Sequence, residues 1–456
     1  MTFFGALGTA VSGVNAAATW VSNISDNIAN STTNGYKAVE TRFSDLVHNK
    51  VLGDSPVIDS NKHGGVLAYA KFENRAQGGY LQTGVSTNFA VSGAGFVPVG
   101  KASDVTYSTN ADGELVKNVT LETAPYYTRL SDFTLDAGNY LVNSAGYYLM
   151  ASPIGTTNPA LFQLDDSPID PIPSSNIDFT ANLPANAEIG TSFNNTTTIY
   201  TSDPASTGEG VGMTWVKGAG NTWDLTISAG DTGQTTFGPV TVSFANGSTP
   251  PFQTGRLESL ATADAGLTVS ASADGSPATI AFTADFGGVQ QALTLNLGNF
   301  NGGFDATATS GLTQYSTANG RQSNVDITQD GLPGGDFSYL SFNELGHIVY
   351  NYDNGRSQTE YQVTLANFNE PDRLDRIDGT AFQPTRASGS VFLGNIDDPD
   401  NPAGVGHFVT GAVEQSTVDV AEQMTNLIQA QQAYGLNGQV ITAADQMLSR
   451  LIELKS

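Results

Sequence analysis

The side chains that most often carry chemistry are few in this sequence and far apart. Its four histidines, His48, His63, His347 and His407, stand singly, without the close spacing of a local zinc motif. Cysteine is absent, which removes thiolate metal ligands, disulfides and a cysteine nucleophile together. Asp397, Asp398 and Asp400 crowd one loop. That loop lacks the glycine and terminal glutamate of a helix-loop-helix calcium site, and Pro399 and Pro402 account for a rigid turn. No Gly-x-Ser-x-Gly elbow stands out, and serines and carboxylates are too numerous for counting to single out a triad or a carboxylate pair. Residues 208–212 and 218–220 resemble fragments of nucleotide loops but lack the strand-to-helix setting, so they read as turns. Trp215 and Trp223 flank a strand-like stretch and read as core rather than as a sugar platform. Residue types and spacing thus single out no cofactor and no metal site, and catalysis stays open at this point.

The residues that do recur with a period lie at the two ends. Phe4, Leu7, Val11, Val14, Ala18, Val21, Ser25 and Ile28 follow alternating steps of three and four, with Ile24 beside them. This is the spacing of a coiled-coil seam. At the other end, Val420, Met424 and Leu427 begin a second stripe, and Leu436, Val440, Ala443, Met447, Leu451 and Leu454 continue it. The cluster Asn30-Ser31-Thr32-Thr33-Asn34-Gly35 should stop the first helix, with Gly35 a candidate for positive φ. Polar and small residues on the remaining faces, as at 15–19 and 429–432, suit helices that touch several neighbours.

Size and charge narrow what such ends could serve. The chain has 456 residues, enough for roughly two to four domains with real cores. Eighteen Lys and Arg against 44 Asp and Glu give a net charge of −26, which repels nucleic acid and anionic membranes alike. No Lys or Arg precedes Lys37 and no long unbroken apolar run occurs, so neither a cleaved secretory signal nor membrane insertion is expected. The Gly, Ser, Thr, Asn and Asp richness of the middle nevertheless suits a surface protein, a tension that export without a cleaved signal would resolve.

Between the ends, short alternating runs punctuated by Gly and Asn predict antiparallel β structure at 66–70, 88–92, 95–99, 133–135 and 140–142. From about 155 to 324 the basic residues thin to Lys217, Arg256 and Arg321. Strand candidates there include 196–200, 223–227, 240–244, 279–283 and 292–297, and the earlier style returns at 337–342, 347–352, 361–365 and 391–393. The expected fold class is multidomain, with helical coiled-coil-like termini and mainly antiparallel β domains. The expected organisation is nested: 1–30 with 415–456 as a helical assembly domain, 31–155 with 325–414 as an inner β domain with an extended connector at about 31–65, and 156–324 as an inserted outer β domain.

The stretches Ser12-Gly13-Val14-Asn15-Ala16-Ala17, Asn27-Ile28-Ala29-Asn30-Ser31-Thr32-Thr33-Asn34-Gly35-Tyr36-Lys37 and Phe43-Ser44-Asp45-Leu46 closely resemble the N-terminal motif of bacterial flagellar axial proteins, the rod and hook group. The run from Gly411 through Glu414 to Asp419 agrees, as do Gln431, Tyr434, Asn437, Asp445 and Gln446. Tyr127-Thr128-Arg129, 138–142, 365–368 and the large middle segment resemble the hook branch rather than the distal rod branch. One departure is Ser92-Gly93-Ala94-Gly95-Phe96-Val97-Pro98, where Pro98 removes a strand donor and places that strand at a sheet edge by expectation.

The resemblance implies a structural subunit of a curved helical tube that acts as a flexible universal joint between rod and filament. It implies the chain itself as partner, with rod, cap and junction proteins and the flagellar export apparatus, and an extracellular place in the flagellum. The apolar stripes would then be assembly surfaces, and the ends would order on assembly. Readings of a distal rod protein, or of an adhesive or hydrolytic domain displayed on the flagellum, stand beside it.

Overall fold

A computed structural model of the chain describes residues 3–46, 64–109, 115–204, 208–230, 235–248, 250–302, 311–378, 380–398, 400 and 403–453. Two helices stand near the chain ends, α1 at Phe3–Ala29 and α2 at Val420–Glu453, and almost all other regular structure is strand. The expected class of terminal helices with mainly antiparallel β structure holds. The chain divides into two compact units. The first comprises Met1–Asp165, Tyr339–Asn351 and Ser357–Ser456; the second comprises Asp166–Ser338 and Tyr352–Arg356. Among the described residues no helix is long and apolar enough to cross a membrane.

In the first unit, α1 ends where the polar cluster begins. Thr33 N–H donates to Asn30 O at 3.1 Å and Gly35 turns at φ 68°. A Cβ on Gly35 would lie 2.8 Å from the backbone nitrogen of Leu130, so this turn demands glycine for conformation and for space alike. The start of α2 is capped by Asp419, whose carboxylate accepts from the N–H groups of Ala421 at 2.9 Å and Glu422 at 3.2 Å. It satisfies two otherwise orphaned donors at the positive end of the helix dipole.

After the turn, strand Val39–Leu46 pairs antiparallel with Gly65–Phe72, from Val39↔Phe72 to Leu46↔Gly65. Part of the stretch expected as an extended connector is therefore one arm of a hairpin; residues 47–63, with His48 and His63, lie outside the described residues. The hairpin docks on α1 through Trp20, whose ring meets Phe43 edge-on at 5.4 Å, and through Asn23, which donates to Thr41 Oγ1 at 2.8 Å.

The main sheet of this unit contains Val97–Gly100 between Tyr126–Thr128 and Tyr148–Pro153. Pro98 therefore sits in a central strand, contrary to the expectation of an edge. It pairs with Tyr127 on one side, whereas on the other the ladder begins only at Val99. A ladder that short has room for one missing donor. The run expected as a single strand at 361–365 is split between Ser357–Gln362 and Leu365–Phe368. The break arises because the second piece leaves to pair with Val391–Gly394 while Thr364 Oγ1 lies 3.0 Å from Ser152 Oγ.

The second unit is a sandwich of two five-stranded sheets around one apolar core. One sheet runs in the order Ser192–Ile199, Glu209–Lys217, Thr222–Ala229, Thr235–Phe244, Leu257–Thr262, antiparallel throughout. The other contains one parallel pair, Asn176–Asn182 beside Val289–Asn299. Period-two burial drives this architecture: along Thr222–Ala229 every second residue is buried, as expected of strands with one face on a core. Trp215 and Trp223 are fully buried in that core, and Trp215 stacks on Phe179 with ring centroids 5.3 Å apart. Residues 218–220 form a hairpin turn as expected. Gly210 and Gly212 instead lie inside strand Glu209–Lys217, where a Cβ on Gly212 would meet Ser228 Oγ at 2.5 Å.

Candidate functional site

The feature with a shape for function is the pairing of the two chain ends in the first unit. Gly13 of α1 lies against Asn437 of α2, with a Cβ at Gly13 only 2.6 Å from the Asn437 side chain. Asn27 donates to Gln423 Oε1 at 3.1 Å. Because the contact moves from 437 to 423 as α1 advances from 13 to 27, the helices run antiparallel. On α2 the contacting residues Gln423 and Asn437 share a seven-residue spacing with Ala430 and Ala444, both buried. On α1 the buried Ala10, Gly13, Ala17, Ile24 and Asn27 follow the matching steps.

This internal seam is one residue out of phase with the apolar stripe read from the sequence, and it is built mainly of alanine, glycine and amides. Small side chains let two helices approach closely, which apolar bulk would prevent. Apart from Ile24, which belongs to the seam, the bulky stripe lies elsewhere on the helices. Leu7, Val14, Val21, Ile28 and Leu427 are half-buried, Ile24 is buried, and Val11, Val420, Met424, Leu436, Val440 and Met447 are exposed, Leu436 and Met447 to 63% and 60%. Of the motif positions, Gln431, Tyr434, Asp445, Gln446 and Ala29 are exposed, whereas Ser12, Asn30, Thr33 and Asn437 are half-buried. Phe4 and Leu451 belong to the helices, and Leu454 lies outside the described residues.

Below the helices, Asn27, Gly35, Tyr36 and Lys37 converge on the segment that precedes α2. Asn27 accepts from Val39 N–H at 2.9 Å and donates to Val39 O at 2.8 Å, and Tyr36 Oη donates to Asn27 Oδ1 at 3.3 Å. Thr417 Oγ1 accepts from Ala38 N–H at 2.8 Å, and Gly35 N–H donates to Glu414 O at 2.7 Å. The motif therefore fastens the two ends of the chain to each other.

Its electrostatic centre is the buried carboxylate of Glu414, 2.6 Å from Lys37 Nζ and 3.4 Å from Arg129 Nη1, with Gly78 N–H donating at 2.8 Å. Burial pushes the Lys37 ammonium below the ordinary lysine value despite the upward pull of Glu414, and the Arg129 charge adds to the lowering. Burial likewise lowers Arg129 against the pull of Glu414. Arg129 also donates to Val91 O and Gly93 O, at 3.0 and 2.6 Å, and lies over the Phe96 ring at 5.2 Å. A second guanidinium, Arg376, covers the Tyr36 ring at 4.7 Å and donates to Lys37 O at 2.6 Å.

Sequence reasoning had reached Lys37, Glu414 and Arg129 only as members of motif runs, and Arg376 and Trp20 not at all. In a chain with only 18 basic residues, each Lys or Arg beside aromatic runs is a usable signal for such a junction. Of the remaining chemical candidates only one pair meets among the described residues. His347 Nε2 lies 3.3 Å from Asp397 Oδ2, Asp398 Oδ1 accepts from Asp400 N–H at 3.1 Å in a turn, and His407 is an exposed strand residue. Among the described residues no group of three His, Cys, Asp or Glu is placed to hold a metal ion.

Comparison with known proteins gives one family match, two relatives and one solved structure. A family model described as "Flagellar basal body rod FlgEFG protein C-terminal" matches residues 409–454, which contain Glu414, Thr417 and α2. The flagellar hook protein FlgE of Brucella melitensis biotype 1 is 27% identical over 473 aligned residues, covering 100% of both chains. That of Escherichia coli strain K12 is 28% identical, covering 99% of this chain and 100% of the other. The crystal structure of Helicobacter pylori flagellar hook protein FlgE2 aligns with a TM-score of 0.41 at 13% identity, covering 72% of this chain and 98% of that one.

Proposed function

We infer that this chain is a structural subunit of the bacterial flagellar hook, polymerising with copies of itself rather than catalysing a reaction. The observation that carries the reading is coverage: the alignments to flagellar hook proteins take in 99–100% of this chain and 100% of theirs. The paired ends fit that role. A single chain leaves Val11, Val420, Met424, Leu436, Val440 and Met447 exposed on helices whose internal seam is already filled. Apolar residues spaced along a helix and left in water favour burial against a neighbour. When such contacts join different patches of successive copies without closing a ring, they generate a helical tube.

In this reading α1 and α2 form the inner wall, with Phe4, Leu7, Val11, Val14, Val21, Ile28, Val420, Met424, Leu427, Leu436, Val440, Met447, Leu451 and Leu454 as the assembly set, while Ile24, expected among them from the sequence, is buried within the single chain. The β units lie outside, the second one inserted into the chain path of the first. Support for the nesting comes from the first unit, which is assembled from three separated stretches of chain. The tube bends while transmitting torque, as a universal joint must, and the polar, glycine-rich outer unit supplies wet contacts able to slide. Rod, cap and junction proteins would be its neighbours, and export without a cleaved signal its route.

Electron microscopy of purified material tests the reading. Curved tubes are expected under polymerising conditions. Monomers that never polymerise, or straight rods alone, would overturn it.

A further inference from the structure

The first unit is closed by a segment that comes near the end of the chain. Strand His407–Thr410 pairs with Phe89–Ser92, and Ala412–Glu414 pairs with Tyr80–Gln82. Beyond them, Gln415 N–H donates to Gly79 O at 2.8 Å and Thr417 N–H to Tyr36 O at 3.1 Å. The strands that receive this segment are short, and each has the segment as its ladder partner. Isolated two-stranded pieces of that length are marginal in water.

Charge reinforces the dependence. Lys37 and Arg129 are buried, and among the described residues Glu414 is the carboxylate that lies within ion-pair distance of both. Without residues 407–417 the chain would have to bury two cations with no counter-ion, and an uncompensated buried charge is strongly destabilising.

We propose that residues 407–417 are a folding latch: strands Tyr80–Gln82 and Phe89–Ser92 and the cations Lys37 and Arg129 stay unclosed until this segment docks, with Glu414 neutralising both cations in one step. A chain delivered from its first residue onward therefore cannot close this unit before residues 407–417 have been delivered. The latch is made of contacts within one chain and does not depend on assembly, so the two can fail separately.

Pulse-labelled hydrogen exchange during refolding of the full-length chain tests the latch. Peptides covering Tyr80–Gln82 and Phe89–Ser92 should gain protection in the same kinetic phase as those covering 407–417. Earlier protection of the first set would overturn the proposal. At equilibrium, Glu414→Gln should speed exchange in both sets roughly a hundredfold to a thousandfold, while peptides of the sandwich such as Thr222–Ala229 exchange as before. Unchanged exchange at Phe89–Ser92 would remove Glu414 from the role. If the variant fails to fold altogether, the order of protection in the unsubstituted chain still decides.

Discussion

Asn27 is the residue through which a helix, a turn and a distant segment are held at once. Its amide is buried and engaged by Val39, Tyr36 and Gln423, so Asn27→Ala strands a backbone N–H and C=O together. Each buried group left unsatisfied costs about 1–3 kcal/mol, so a loss of about 2–4 kcal/mol should appear in urea unfolding of the first unit with little change in slope. A second residue-scale prediction concerns acid. Burial pushes the Asp136 carboxyl up, but Lys117 at 2.6 Å and the N–H groups of Tyr140 and Gly138 outweigh it and hold the group below the ordinary carboxylate value. A carboxyl depressed in the folded state stabilises fully above its unfolded pKa, and that contribution is lost as pH falls through the folded value. The Tm difference between the unsubstituted chain and Asp136→Asn should therefore be largest near neutral pH and narrow below about pH 4. The sequence pointed to Asn27 and Lys37 through the motif that contains them. It could not pair Lys37 with Glu414, because no local spacing relates residues 377 positions apart in the chain.

The same limit at the scale of elements takes a different form. Both helices were legible, since periodicity and a stopping cluster are local signals. The face that joins them was not. Ala10, Gly13, Ala17, Ala430 and Ala444 carry almost no hydrophobic signal, whereas the bulky stripe beside them carries a strong one, so periodicity finds the outer face first. Two substitutions separate the faces. Gly13→Leu would drive a side chain into Asn437 and should destabilise the helix pair by about 1–3 kcal/mol, the usual cost of overpacking, read as lost helicity on heating. Val11→Asp with Met424→Asp alters exposed positions only and should move monomer stability by no more than about 0.5 kcal/mol per site. Sedimentation should nevertheless show polymer formation abolished, because each carboxylate would have to be buried at a subunit contact. Normal polymers from that double variant would remove these positions from the interface.

For the molecule as a whole, the question is whether the sandwich can be taken away without unmaking the rest. Its core draws on residues from Ile177 to Leu312 and is shared by its own two sheets. Composition gave part of this away, since the stretch poor in Lys and Arg overlaps the second unit, but a change in composition has no sharp edge. The edge is set by pairing: Ile169 and Gly335 exchange backbone hydrogen bonds at 2.9 and 3.2 Å, so the chain enters and leaves the sandwich side by side. Excising residues 170–334 and joining the ends through a short glycine-serine link should therefore impose little closure entropy. The paired helices, the Glu414 junction and the strands around Val97–Gly100 all come from residues outside that stretch. The shortened chain is expected to polymerise at a similar critical concentration, and, if the second unit supplies the sliding contacts as proposed, its tubes should be straight or of altered stiffness under electron microscopy. A shortened chain that keeps its helices and main sheet yet forms no tubes would show that the sandwich takes part in assembly itself rather than in bending.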